Sequence, residues 1–569
     1  MMMRMIKKVF ALLLTVAMLV CILASCNIPK EPVQANSTPN ADATTTLQTN
    51  SKTLNNATTL TKITSINITS GKSPVEKYAA SELGWYLAKK NILATDNGYN
   101  IALYLDASIA NQGYRITADE SGLVIAGGDA RGLIYGLYAF LDKFVGVSFY
   151  SVDTTVIDDS DVMVGIGVLD ELDPAFEVAR NPWYPIERLS EENGGNHRDR
   201  ETIKTFYFNT IVENNATPFC LSNPENINRA ISKVTNYLWS VPHADILKFA
   251  PTSDADTYCA CEGCSQIIAE EGSPSGVYVR FLNVLYEAIS PRFPNVKMHL
   301  VIGAYLEKAP SLTKPADDIS VLLNTKKCHI SHPVTDTSCP DAVRFAESMK
   351  SWSAICDTVC VDYVLTSTTE YMPVFANLGS LRENMNFFAT CGVGSINFTG
   401  NIACPAGDFG ELRVYLVSQL VQNPMMSEEE YYAHMDEFLQ AFYGDGWEYI
   451  RKFIDKTIEL SADGHQTASG SHFDSITEEE YLANEEAFDE WWNKAEELAG
   501  DRIDFVKRAR YQWRYIKLCL HPNAEDAMSL IADASNHFHT RVGWREKQWN
   551  VDVEKSNLNL APTEWVYKS

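Results

Sequence analysis

Across residues 174–424, short apolar runs alternate with longer amphipathic ones. The runs at 176–180, 206–212, 245–251, 298–305, 319–324, 358–365 and 394–398 have strand length and little polar interruption, as expected of strands buried on both faces of a parallel sheet. Between them, residues 226–239, 277–289, 341–353 and 379–391 carry apolar side chains at helical spacing. Strand and helix repeating over this length predict a (β/α)8 TIM-like barrel, with seven strands assigned and one unassigned.

Residues 60–160 predict a small α/β domain ahead of the barrel. Ser73-Pro74-Val75-Glu76 reads as a cap followed by a first turn, and Val75, Ala79, Leu83, Tyr86 and Leu87 mark one helical face. A strand at 101–105 follows, then strands at 113–118 and 123–126 around the turn Asp119-Glu120-Ser121-Gly122. Asp129 suits the cap of a second helix, on which Leu133, Leu137, Phe140, Leu141 and Phe144 recur before Gly146. Gly127-Gly128-Asp129-Ala130-Arg131-Gly132 lacks the Lys-Ser/Thr of a phosphate loop and follows a hairpin strand, which argues against nucleotide binding. Residues 425–569 predict a helical region: Met435, Phe438, Leu439 and Phe442 share a face that Gly444 closes, with further runs at 487–498 and 503–520.

The N-terminus is of another kind. Arg4, Lys7 and Lys8 precede an uncharged apolar run at 9–24 that ends in Leu23-Ala24-Ser25-Cys26. This is the pattern of a bacterial lipoprotein signal over residues 1–25, in which Cys26 is acylated and becomes the first residue. The run is shorter than the roughly 20 residues a spanning helix needs. Residues 26–59 are rich in Asn, Thr, Ala and Ser and cannot bury enough apolar surface to fold, so a flexible tether is expected. The expectation is a lipoprotein anchored at the cell surface or in the periplasm, with the membrane touched through the lipid only.

A formal charge of −26, more negative still once Arg4, Lys7 and Lys8 leave, argues against nucleic acid and anionic surfaces as partners. An aromatic content of 11% suits stacking on sugar rings. Of the 13 cysteines, Cys21 goes with the signal and Cys26 carries lipid, which leaves an odd number. Cys259, Cys261 and Cys264 form a knuckle that fits either a structural zinc, with Cys220, Cys328 or His329 as the fourth ligand, or one disulfide and a spare thiol. No cofactor is required for catalysis.

In a barrel the site gathers at the carboxyl ends of the strands. Those ends carry Arg180 with Trp183, then Asp254, Tyr305, His329 with His332, Asp362 with Tyr363, Glu370 and Asn397. Acids, aromatics and amides on one rim describe a carbohydrate pocket, where two carboxylates flank a glycosidic bond. Asp254 with Asp362 is the expected catalytic pair and Glu370 the reserve; Arg180, Trp183, Tyr305, His329, Tyr363 and Asn397 are expected to bind substrate. No Gly-x-Ser-x-Gly elbow, His-Glu-x-x-His or P-loop points to another chemistry.

Three stretches carry a family resemblance: Pro218-Phe219-Cys220-Leu221-Ser222-Asn223-Pro224-Glu225; Ser253-Asp254-Ala255-Asp256 leading into the knuckle; and Gly407-Asp408-Phe409-Gly410-Glu411-Leu412-Arg413-Val414-Tyr415-Leu416. They resemble the bacterial family catalogued as domain of unknown function 4838. The first domain, with Gly127-Gly128-Asp129-Ala130-Arg131-Gly132-Leu133-Ile134-Tyr135-Gly136, is similar to the small domain preceding the barrel in family 20 β-hexosaminidases and family 67 α-glucuronidases. The resemblance implies a glycoside-hydrolase-like barrel acting on a glycan, and by motif it reaches Asp254 alone among the acids. The segment between Asn209 and Cys220 is shorter here than is usual in the family and contains no His. Two functions fit: a surface-anchored glycoside hydrolase acting on a poly- or oligosaccharide, or a non-catalytic glycan-binding lipoprotein on the same fold, a reading that Asn397 at a strand end keeps open.

Overall fold

In the computed structural model the described residues are 60–151, 154–180, 203–212, 219–241, 244, 246–251, 258–367, 372–399, 409–523 and a few positions up to 533. All fall in the second of the chain's two units, Ser51–Ser569. The expected signal, Cys26 and most of the tether lie outside them. Among the described residues no helix is long and apolar enough to cross a membrane.

The small domain is built as its pattern requires. β1 (Ser65–Ser70), β2 (Leu93–Ala94), β3 (Tyr99–Leu105), β4 (Tyr114–Asp119), β5 (Gly122–Gly127) and β6 (Gly167–Leu172) form one mixed sheet in the order β6-β4-β5-β3-β1-β2. Helix α1 (Pro74–Lys89) starts in a capping box: Glu76 N–H donates to Ser73 Oγ while Ser73 N–H donates to Glu76. Its Ala79, Leu83 and Leu87 are fully buried, as are Leu133 and Leu137 of α2 (Ala130–Phe140). Each buried leucine contributes about 1.5–3 kcal/mol. The glycine-rich turn before α2 serves packing. A Cβ on Gly127 would lie 2.0 Å from Leu133 N, and one on Gly128 2.0 Å from Ala110 O. Asp129 caps the helix by accepting from Gly132 N–H at 2.7 Å.

The larger sheet is parallel and seven-stranded. Its strands are β7 (Glu177–Arg180), β8 (Ile203–Tyr207), β9 (Ile246–Ala250), β10 (Lys297–Val301), β11 (Ile319–Asn324), β12 (Val359–Val364) and β13 (Val393–Thr399), in the order β7-β13-β12-β11-β10-β9-β8. The first strand therefore pairs with the last, and no ladder among the described residues joins β7 to β8. Among the described residues the sheet has the seven strands that the sequence assigns, and the eighth is not among them. The run expected as a strand at 206–212 also divides: after Tyr207 the chain turns into helix α3 (Phe208–Val212), because Phe208 and Ile211 are both buried at helical spacing and Phe208 packs on Phe219 and Tyr278.

Helices α4 (Pro224–Ser240), α5 (Glu262–Glu271), α6 (Ser275–Ile289), α7 (Pro340–Ser353), α8 (Leu381–Thr390) and α9 (Gly410–Gln422) lie between or after the strands. The C-terminal region is helical: α10 (Glu428–Tyr443), α11 (Trp447–Leu460), α12 (Glu478–Leu498) and α13 (Ile503–Leu520). Its Phe438, Phe453, Trp492 and Trp513 belong to the same buried cluster as the sheet residues Leu247, Leu300, Val361 and Ile396. The helical tail is thus part of the main core.

The small domain grips the first strand of the larger sheet. Gln112 Nε2 donates to Val178 O at 3.2 Å, and Val178 N–H donates to Gln112 Oε1 at 3.0 Å. Arg131 Nη1 also donates to Val178 O, at 2.6 Å. Gln112→Met keeps length but leaves the Val178 N–H without its acceptor, so unfolding free energy in urea should fall by about 1–3 kcal/mol. An unchanged denaturation midpoint would show that this amide pair contributes nothing.

Candidate active site in the lumen of the parallel sheet

Side chains alternate across a strand, and here the alternation separates two chemistries. Leu247, Phe249, Met298, Leu300, Val321, Leu323, Val361, Ile396 and Phe398 are buried in the cluster that the surrounding helices share. Among the intervening positions are polar ones that meet in register: Lys248 with His299, Asn324 with Asp362, Asp362 with Asn397, and Asn397 with Arg180.

Asp362 is the centre of this second face. Asn397 Nδ2 donates to its Oδ1 at 2.9 Å, and Lys248 Nζ lies 3.8 Å from its Oδ2. β9 and β12 are separated by two other strands, so in a flat sheet their backbones would stand roughly 14 Å apart. The ion pair forms because the sheet curls, which makes the polar face concave. Lys248 and Asp362 keep 18% and 22% of their side-chain surface exposed, so solvent reaches the pair.

His299 lies beside Lys248 and is 8% exposed, and its Nδ1 has no hydrogen-bond partner among the described residues. Burial, then the positive charges of Lys248 and Lys297, push its imidazole down to about 4. The sequence reading missed both Lys248 and His299. The signal was present as a single polar residue within Ile246-Leu247-Lys248-Phe249-Ala250 and within Lys297-Met298-His299-Leu300-Val301.

The other expected residues divide. Asp254, Glu370 and Trp183 lie outside the described residues, as does the side chain of Arg180. Tyr363 turns away from Asp362: it is buried against Phe388 and Phe398 and its hydroxyl accepts from Asn384 Nδ2 at 3.0 Å, so the expectation that it binds substrate is replaced by a packing role. Tyr305 hydrogen-bonds Tyr278 through their hydroxyls at 2.9 Å and meets the ring of Tyr258 edge-on at 5.6 Å. Tyr258, 41% exposed, presents an aromatic surface beyond the carboxyl end of β9.

His329, beyond the end of β11, belongs to a polar cluster distinct from the Asp362 group. Its Nε2 lies 3.1 Å from Asp341 Oδ2, and its Nδ1 lies 3.1 Å from His465 Nδ1 and 3.3 Å from Cys339 Sγ. Desolvation holds its imidazole below the ordinary range. His332 spends both ring nitrogens, on Asp336 Oδ2 at 2.7 Å and Gly464 O at 2.9 Å, and its ring stacks on that of His465. The knuckle residues Cys259, Cys261 and Cys264 are joined by Cys220, and the four Sγ atoms lie within 4.8 Å of one another.

The comparisons with known proteins agree with this architecture. Residues 201–455 match the family described as Domain of unknown function (DUF4838), and residues 43–160 match Glycosyl hydrolase family 20, domain 2. The resemblance read from the motifs therefore holds in both regions. Among solved structures, a family 115 4-O-methyl-α-glucuronidase with specificity for decorated arabinogalactans aligns at 11% identity, covering 90% of this chain and 80% of that one, with a TM-score of 0.51. A family 138 enzyme targeting pectin rhamnogalacturonan II aligns at 10% identity over 88% of this chain and 98% of that chain (TM-score 0.39). A chitobiase from Flavobacterium johnsoniae aligns at 10% identity over 82% and 92% (TM-score 0.39). The fold likeness rests on the first of these. No curated protein matches the chain.

The His299 environment gives a test with a definite sign. A histidine whose folded pKa is depressed adds stability above its unfolded pKa of about 6.5, and that stability is lost as pH falls toward 4. The loss amounts to about 3 kcal/mol. In urea titrations, wild type should lose more stability than His299→Gln between pH 7 and pH 4.5. Equal losses would show that His299 is not buried in its neutral form.

Proposed function

We propose that the chain is a glycoside hydrolase acting on a poly- or oligosaccharide, with the curled parallel sheet as a TIM-like barrel and a pair of carboxylates at its carboxyl end. The observation that carries the reading is Asp362, a carboxylate held by Asn397 and Lys248 on the concave polar face of a sheet otherwise packed with apolar residues. The match to a glycosyl hydrolase domain at residues 43–160 and the fold likeness to a glycosidase support it.

In this reading Asp362 is the anionic member of the pair. Its fixed hydrogen bond from Asn397 holds it in one orientation, as required of a group that attacks an anomeric carbon, activates water or stabilises positive charge on the sugar ring. Asp254, which follows β9 in the sequence, is the proton donor and Glu370 its alternative; a donor needs a raised pKa, which an apolar wall such as Tyr258 with Tyr305 supplies by desolvation. The same tyrosines offer a face for a sugar ring. The protein acts at the cell surface or in the periplasm, held there by lipid on Cys26, and intact-mass analysis of the native protein should find that lipid; its absence ends the anchoring proposal.

Against a panel of aryl glycosides and polysaccharides, Asp362→Asn and Asp254→Asn should each lower kcat by about a thousandfold or more while folding and glycan affinity stay close to wild type. A folded Asp362→Asn that turns over its glycan at the wild-type rate removes Asp362 from the mechanism. Micromolar binding of a glycan with no hydrolysis by the wild type makes the chain a glycan-binding lipoprotein instead.

A further inference from the structure

Four cysteines reach one another from two separate stretches of chain. Cys220 lies just ahead of α4, Cys261 is the N-cap of α5, Cys264 sits in the first turn of α5, and Cys259 precedes them. Cys220 Sγ is 3.6 Å from Cys261 Sγ and 3.8 Å from Cys264 Sγ. A disulfide needs about 2.05 Å, and all four are free thiols. Sulfurs at the corners of a tetrahedron around zinc, each about 2.3 Å from the metal, stand about 3.8 Å apart. The two Cys220 distances match that spacing, and all four sulfurs lie within 4.8 Å of one another.

The surroundings fit thiolates as well. Cys264 N–H donates to Cys261 Sγ at 3.5 Å, the amide-to-sulfur contact that a helix N-terminus provides. Ser222 Oγ lies 3.2 Å from Cys264 Sγ, 3.4 Å from Cys220 Sγ and 3.8 Å from Cys261 Sγ, so its single hydroxyl proton serves one of the three. The Cys220, Cys259 and Cys264 side chains are half-buried or buried, and Cys261 opens to solvent, which leaves a path for the ion.

We propose that Cys220, Cys259, Cys261 and Cys264 bind one zinc ion as a closed, structural tetrathiolate site. Binding exchanges four thiol protons for one Zn²⁺, leaving the cluster with two net negative charges and no open position for catalysis. The ion fastens the segment after β8 to the segment after β9, both at the carboxyl end of the sheet. Tyr258, which packs on Tyr305, is adjacent in sequence to the ligand Cys259. The site does not depend on glycan hydrolysis and stands or falls separately from it.

The full chain, purified under reducing conditions without chelator, should contain about one zinc per molecule by elemental analysis. Cys220→Ala and Cys264→Ala should lose that zinc, whereas Cys391→Ala, a thiol elsewhere in the fold, should keep it. Cobalt loaded into wild type should show the spectrum of tetrahedral thiolate coordination, which tests the shell even where a variant fails to fold. A chelator should lower the Tm of wild type and leave that of metal-free protein unchanged. Folded wild type that binds no metal and alkylates at all four thiols overturns the proposal, as does a disulfide between any two of them in peptide mapping. Zinc retained by Cys220→Ala overturns the four-ligand assignment.

Discussion

The candidate site depends on a buried guanidinium. Arg413, on α9, is 1% exposed and donates from Nε to Asn377 Oδ1 at 2.6 Å and from Nη2 to Phe375 O. Asn377 in turn donates from Nδ2 to Leu365 O at 2.9 Å, at the carboxyl end of β12, three residues beyond Asp362. A helix that follows the last strand thereby fixes the end of the strand that carries the central carboxylate. Leaving a buried charge network half-made costs about 3–5 kcal/mol, so the arrangement tolerates little movement. Arg413 belongs to the Gly407–Leu416 stretch, one of the three that resemble the family of unknown function. Its role is positioning, exerted through Asn377 on the end of β12.

The concave face shows where stability has been given up. A parallel sheet covered on both sides is ordinarily lined with branched aliphatic residues. Lys248, His299, Asp362 and Asn397 occupy that place here, and each costs free energy to desolvate. The Lys248–Asp362 pair offsets part of the cost, and the residual exposure of both side chains offsets more. His299 stays neutral for the same electrostatic reason: a cation among two lysines in a nearly dry setting is disfavoured twice over. Polar groups gathered on one face of an otherwise apolar sheet are what a site for a polar ligand requires.

Much of this was legible in the chain. Every strand of the larger sheet lies within or overlaps an apolar run, because burial on both sides removes polar interruption, and the first helix announced itself through Ser73 and Glu76. Asp362 and Asn397 were legible because each breaks such a run near its carboxyl end. Lys248 breaks its run in the middle and His299 near its start, positions that attention to carboxyl ends alone does not reach. Tyr363 shows the opposite failure, since two-residue alternation sends the neighbour of an inward Asp362 outward into the helices. The thiols that gather near Cys220 come from stretches about 40 residues apart, and only the fold, which brings the chain ahead of α4 to the start of α5, chooses Cys220 over the other candidate ligands.

Among the described residues β7 pairs on one side only, with β13. A strand without a neighbour exposes backbone donors and acceptors that invite wrong pairing. On β7 the Gln112 side chain receives the Val178 N–H and donates to the Val178 carbonyl, the two bonds that a peptide group of an adjacent strand would make. Gln112 achieves this from a left-handed backbone position, φ 58°, at the turn ahead of β4. The small domain thus acts as a one-residue substitute for a strand, and Arg131 adds a second donor to the same carbonyl. Because Arg180 is two residues farther along β7, in register with Asn397, the cover that protects the edge also sets the position of the last polar strand of the site.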